Sequence, residues 1–226
     1  FVATEPVDSK LPDYMTWDQV REMRDAGVTI GAHSHTHLHM VSASLDTDRA
    51  DIETSNRLFK RELGSIPNLF AYPYGEASLA VMDLVRTSGY EVAFGQHSGA
   101  ANPNLPRFYL PRFPMNEAHG SLDRLRLALN ALPLPVSQMT PADPLVPADG
   151  NPPPVGFTLA ESLGKAARLA CYYSHGKVQM ERIGPHRVEV RFDTPFPTGR
   201  SRVNCTLPGP QGRWYWYGTQ FYVKRR

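Results

Sequence analysis

The sequence predicts an α/β fold followed by a small all-β domain, and three observations predict it. Strand, loop and helix alternate strictly over residues 1–132. Such alternation means βα units around a parallel sheet. Residues 133–154 then hold eight prolines and almost no periodicity. From residue 155 onward the apolar pattern turns to period two, the signature of half-buried strands. The expected organisation is an α/β domain over 1–132, a stiff Pro-rich linker over 133–154 and a β-sandwich-like accessory domain over 155–226.

Each element has its own signal. Met15 to Ala26 reads as a helix, with Thr16 as N-cap, Trp17, Val20 and Met23 at helical spacing and Gly27 as the stop. Val28 to Gly31 reads as a short buried strand, and His33 to Leu38 as the polar loop after it. Asp46 to Leu63 is the next helix, with Ile52, Leu58, Phe59 and Leu63 on one stripe and Gly64 beyond. Leu69 to Tyr72 is a strand that runs into the turn Pro73-Tyr74-Gly75. Leu79 to Ser88 is a helix with Val81, Met82 and Val85 inward, and Glu91 to Phe94 and Phe108 to Phe113 are strands. Ser121 caps a helix to Leu132 with Leu122, Leu125 and Leu129 inward. In the last third, strands are expected at Arg168–Ser174, Val178–Arg182, Arg187–Phe192, Arg202–Leu207 and Trp214–Val223. The α/β part fits a barrel or a doubly wound sheet, and in both, ligands bind where loops leave the C-terminal strand ends.

Composition narrows the function classes. With 41% hydrophobic and 20% charged residues, the 226-residue chain has the make-up of an ordinary globular protein. The net charge of +2 is spread along the chain, so no basic stripe points to nucleic acid. No apolar run approaches the roughly 18 residues a membrane span needs. Cys171 and Cys205 fit two separate buried thiols in a cytosolic protein, or one disulfide in an exported one.

The strongest chemical signal is Gly31-Ala32-His33-Ser34-His35-Thr36-His37-Leu38-His39, with four histidines alternating in seven residues. In an extended loop such alternation points the rings one way, and neutral imidazole is the commonest zinc ligand. The bland alternative is a His-rich surface loop. The second signal is Ala71-Tyr72-Pro73-Tyr74-Gly75-Glu76, a sharp turn at a strand end that can aim a backbone N–H into a cleft. Alone, it is also what an ordinary Pro-Gly turn looks like.

Taken in order, these motifs resemble the polysaccharide deacetylases, the NodB-homology or carbohydrate esterase family 4 fold. His33-Ser34-x-x-His37 matches H-[ST]-x-x-H, and Pro73-Tyr74-Gly75 matches the end of R-x-P-Y-G. Met15-Thr16-Trp17-Asp18-Gln19 and Phe1-Val2-Ala3-Thr4 are similar to the flanking helix and strand. The Tyr-Pro-Tyr-Gly-Glu-Ala stretch looks most like the biofilm poly-N-acetylglucosamine deacetylase branch. The resemblance implies a distorted (β/α) barrel, N-terminally incomplete, and a metal-dependent N-deacetylase acting on an N-acetylated hexosamine polysaccharide. His33 and His37 would hold a divalent ion, zinc by preference. The Tyr74 N–H would face the oxyanion, with Tyr72, Pro73 and Gly75 shaping the substrate side of the turn. His35 falls in a variable slot of the pattern and would either support the ligands from behind or line the groove.

Three departures from the family pattern stand out. T-F-D-D, which supplies the family's base and third metal ligand, is absent, and no Asp-Asp pair occurs in the chain. The sequence therefore reads as lacking an N-terminal segment. That segment, or a second copy, is the expected partner completing the barrel, and little activity is expected of these residues alone. Ala71 replaces the motif arginine, whose charge Arg112 would supply as orienter of the base. No L-x-L-H motif is recognisable, so His97, after a strand end, is the candidate general acid, and His119 reads as surface. The rival class is a non-catalytic carbohydrate-binding or scaffold protein that keeps the fold. The resemblance places the protein outside the cytoplasm, in the periplasm or cell envelope. Trp214 and Trp216 share one strand face and fit either core packing or sugar stacking, and Lys224-Arg225-Arg226 reads as a solvated tail.

Overall fold

Four chain segments lie side by side in parallel, in the order Val2, Ala32, β1 (Leu69–Ala71) and β2 (Val92–Phe94). The computed structural model describes residues 1–164 and 166–225; Lys165, the side chain of His119 and Arg226 of the expected tail lie outside them. The chain divides into two units: Phe1–Phe94 with Arg107–Tyr109, and Gly95–Pro106 with Leu110–Arg226.

In the first unit, helices separate the parallel segments as the alternation predicts. No closed barrel forms among the described residues. α1 (Thr4–Asp8) begins directly after Val2, where the sequence suggested only a strand end. α2 (Trp17–Asp25) opens with a reciprocal capping box. Thr16 Oγ1 accepts the Gln19 N–H at 3.3 Å, and Gln19 Oε1 accepts the Thr16 N–H at 2.8 Å. Trp17 and Val20 are buried, whereas Met23 is exposed, so the inward face is narrower than the spacing suggested. The expected strand 28–31 reduces to a bridge at Ala32, whose N–H donates to Leu69 O. α3 (Leu45–Leu63) is capped by Ser44 and ends at Gly64, whose φ of 82° is the left-handed conformation that favours glycine. α4 (Leu79–Thr87) is capped by Ser78 and buries Val81, Met82, Leu84 and Val85. Phe59, Phe70, Tyr72, Ile52 and Val85 meet in one apolar core behind the parallel segments. The expected strand 108–113 is irregular; its neighbour Arg107 accepts the Ala93 N–H through its carbonyl, beside β2.

In the second unit two sheets enclose a separate core. One has the order β3 (Leu132–Pro133), β11 (Trp214–Val223), β10 (Gly199–Pro208), β7 (Ala170–Tyr173), with β5 (Leu145–Val146) also on β11. The other has the order β4 (Val136–Thr140), β6 (Val155–Leu159), β9 (Arg187–Arg191), β8 (Gln179–Ile183). Leu134, Phe157, Leu159, Val188, Val203 and Phe221 are among the residues packed between them. The Pro-rich stretch 133–154 is thus not a linker: it supplies β4, β5 and half of β3. Proline lacks an N–H, so it tolerates the end of an edge strand, and β3 lies at the sheet's edge.

The helix after Ser121 forms as α5 (Leu122–Asn130), but none of its described residues is buried. Leu122 is 68% exposed and Leu129 74%, which corrects the inward stripe read from spacing. Trp216 donates its indole N–H to Asn204 Oδ1 at 3.3 Å and meets Phe113 edge to face, while Trp214 stays exposed. Tyr217 is buried on the opposite face.

Cys171 and Cys205 sit directly opposite each other on β7 and β10 and are joined as a disulfide, leaving no free cysteine. A cross-link over a sequence separation of 34 restricts the unfolded chain, worth about 3–4 kcal/mol in the loop-entropy account. The Cys171→Ser/Cys205→Ser protein should therefore melt at lower temperature in its second unit only, and thiol titration of the unfolded, unreduced wild type should find no free thiol. Calorimetry with and without reductant checks both.

Candidate metal centre

The histidine loop leaves Ala32, an inner segment of the parallel set, and its first ring is aimed by the neighbouring strand. His33 Nδ1 lies 2.6 Å from Ala71 O. A carbonyl oxygen has no proton to give, so Nδ1 must be the donor, and in the neutral ring Nε2 carries the bare lone pair. That atom lies 3.1 Å from His37 Nε2, with the two rings edge to face. Without an ion, a proton on His37 Nε2 bridges the pair. Burial first, then the charge of His39, holds the His37 imidazole below its ordinary range and favours its neutral form.

A polar scaffold holds this geometry. Ser34 and His37 both adopt left-handed backbone, with φ of 65° and 57°, which a non-glycine residue tolerates only when its surroundings enforce it. Ser34 is fully buried, and its Oγ accepts the His37 N–H at 3.1 Å. Its carbonyl accepts from Thr4 N–H and from Ser55 Oγ. Asp51, buried on α3, accepts the His35 N–H at 2.6 Å and the Thr36 N–H at 3.0 Å, and the Thr36 hydroxyl at 2.7 Å. Asp51 is the residue sequence reasoning missed. Its signal was there: Asp48, Asp51 and Ser55 interrupt the apolar stripe of α3 that carries Ile52 and Phe59.

The other histidines are engaged elsewhere. His35 Nδ1 lies 2.9 Å from Thr4 Oγ1. His39 Nδ1 lies 2.8 Å from Glu76 Oε2, and its ring stacks on Tyr74 at 4.0 Å between centroids. Tyr74 also meets His37 edge to face at 4.6 Å. The turn Pro73–Gly75 is a tight 3-10 turn with Tyr74 left-handed at φ 57°. Tyr72 is buried, with its hydroxyl on Phe108 O, and Tyr109 donates its hydroxyl to Gly75 O. The sequence motifs 33–39 and 73–76 therefore do meet. A cleft of about 580 Å³ in this unit is lined by His33, Thr36 and His37 together with apolar side chains such as Phe1, Met15 and Ile30.

These residues fit a divalent ion in part. Two imidazole nitrogens converge, one with its lone pair fixed forward by Ala71, which suits zinc. Among the described residues no cluster of three His, Cys, Asp or Glu side chains is arranged to hold a metal, whereas catalytic zinc takes three protein ligands. The pair thus accounts for two positions of such a site.

Arg112 and His97 belong to the second unit. The Arg112 backbone N–H donates to His97 O and its Nε to Gly95 O. His97 is 3% exposed, and burial, reinforced by Arg202 and Arg112, pushes its pKa down to about 3.

The polysaccharide deacetylase family model matches residues 1–93. Over 99 residues the chain is 22% identical to the Bacillus subtilis protein described as "Putative polysaccharide deacetylase YxkH", covering 44% of this chain and 36% of that one. The Streptococcus pyogenes deacetylase PplD, solved with acetate, superposes with a TM-score of 0.53 at 20% identity over 56% of each chain. IcaB from Ammonifex degensii gives 0.47 at 20% identity, over 57% of this chain and 59% of its own. Residues 1–93 are thus similar in sequence to the polysaccharide deacetylase family, and the fold is one shared with PplD. The chain spans about a third of YxkH and just over half of PplD.

Two outcomes follow from this geometry. Replacing Asp51 with Ala strands two backbone N–H groups and a hydroxyl, and should lower the first unit's stability by about 1–3 kcal/mol in denaturant titration. Asp51→Asn, which keeps one oxygen, should cost less. His97 is neutral when folded and takes a proton near 6.5 when unfolded. Second-unit stability is thus whole above about pH 6.5 and falls as the pH drops toward about 3, by up to about 1.4 kcal/mol per pH unit. His97→Gln should flatten that slope in melts run from pH 7 to 4.

Proposed function

We propose that the first unit hydrolyses N-acetyl groups of an extracellular hexosamine polysaccharide with the help of a divalent metal, zinc by preference. The observation that carries this reading is the convergence of His33 Nε2 and His37 Nε2 at 3.1 Å beside the Pro-Tyr-Gly turn. Bound between those nitrogens, the ion would polarise the acetyl carbonyl and make a water acidic enough to attack it.

The chain's own part is to hold the two Nε2 atoms together and to turn the His33 lone pair forward. The Ala71 carbonyl fixes the tautomer of His33, and Ser34 and Asp51 fix the loop that carries His37. Tyr74, through its backbone N–H, is the residue assigned to the developing oxyanion, where a fixed donor is worth more than in water. Tyr72, Pro73 and Gly75 set the turn that presents it. His97 as general acid and Arg112 as orienter of the base are the roles that the family resemblance assigns, and both residues belong to the second unit. The Cys171–Cys205 disulfide supports an exported protein, because such bonds persist in oxidising compartments.

The test is zinc content together with acetate release from N-acetylated chitooligomers and poly-N-acetylglucosamine, using the whole protein. His33→Ala and His37→Ala should each lose stoichiometric zinc and acetate release, while His39→Ala keeps its zinc. Unchanged zinc in His33→Ala would sink the site. Tight oligosaccharide binding without acetate release by the wild type would favour a carbohydrate-binding protein on the same fold.

A further inference from the structure

His39 and Glu76 join the two motif segments at a point that neither motif includes. Glu76 is 2% exposed, and its carboxylate lies 2.8 Å from His39 Nδ1. A carboxylate accepts, so Nδ1 carries the hydrogen whether or not the ring is charged. This bond orients the His39 ring, which lies within 5° of parallel to Tyr74 at 4.0 Å. Glu76 follows Tyr74 by two residues on the same turn, so His39 holds that turn twice, by a hydrogen bond and by a stacked face. Between the two anchors Tyr74 takes its left-handed φ of 57°, and its ring reaches His37 edge to face. The Gly75 and Glu76 N–H groups close the turn on Tyr72 O and Pro73 O, at 2.9 and 3.1 Å.

We propose that His39 and Glu76 are positioning residues that clamp the Pro73–Gly75 turn, and with it Tyr74, against the His33–His37 pair. The clamp itself stands on geometry. Only its kinetic consequence rests on the deacetylase reading. A group that aims another acts through geometry, so its loss should lower turnover and leave ion binding in place. Losing such an orienting partner typically costs about 10–100-fold.

The experiment uses the whole protein in five forms: wild type, His39→Ala, Glu76→Ala, the double variant His39→Ala/Glu76→Ala, and Glu76→Gln. Amide hydrogen exchange at Gly75 and Glu76 is read residue by residue by NMR, alongside zinc stoichiometry, melting temperature and, on N-acetylated chitooligomers, kcat and KM. Both alanine variants should lose protection at these two amides while keeping zinc. Their kcat should fall about 10–100-fold with KM within about twofold. Glu76→Gln keeps an oxygen acceptor for Nδ1–H and should recover protection and most of kcat. The double variant should be no worse than either alanine variant, because the two residues act as one unit. Unchanged protection in both alanine variants overturns the clamp. So does loss of zinc from either, which would make the pair part of the ion site. If an alanine variant fails to fold, Glu76→Gln with His39→Phe, which keeps a stacking ring without the hydrogen bond, gives the same comparison. If the wild type releases no acetate, the deacetylase reading fails, and the exchange data still decide the clamp.

Discussion

The Ala71 carbonyl decides which nitrogen of His33 faces His37. A carbonyl can only accept, so His33 must place its proton on Nδ1 and turn a bare Nε2 toward His37. Both ends of this contact come from the parallel set. Ala71 ends β1 and His33 follows the Ala32 bridge, and the backbone bonds between these segments hold the two within reach. In the family motif an arginine stands where this chain has Ala71; here the residue contributes through its backbone, which a change of side chain leaves intact.

The loop beyond His33 shows how buried polarity stabilises an unusual path. Two left-handed non-glycine residues within four positions carry backbone strain. Ser34, Ser55, Thr4 and Asp51 offset it by taking up loop N–H and C=O groups that burial would otherwise leave costly. The helix α3 therefore serves two ends at once. Ile52, Leu58 and Phe59 anchor it in the apolar core, and Asp51 on the same side reaches the loop.

The second unit follows other rules. Its core is closed by two sheets and stapled by a disulfide between strand partners, so period-two alternation tells which residues face inward. β10 shows this alternation clearly, with Ser201, Val203, Cys205 and Leu207 buried between more exposed neighbours. The prolines that look like a linker instead terminate and flank very short strands, which accept them because an edge or a strand end needs fewer N–H donors. α5 departs from its own pattern. Helical spacing of leucines is a statement about one face of a helix, and it does not create a surface to cover that face.

The sequence by itself determined whatever depends on local spacing. The N-cap at Thr16, the stop at Gly64, the inward face of α4 and the strands at 202–207 and 214–223 were all legible, because each depends on neighbours within a few positions. So were the two motifs of the candidate site, as residue types in order. Only the tertiary structure decided which histidines converge. Four alternate in the loop, and an even alternation would point all four one way. Left-handed turns at Ser34 and His37 break it, pairing His33 with His37 and sending His35 to Thr4 and His39 to Glu76. The loop and its rings are held by partners 15 to 38 positions away in the chain, at Asp51, Ala71 and Glu76. Contacts at that separation leave no periodic trace in the sequence, so they become visible only once the chain has folded.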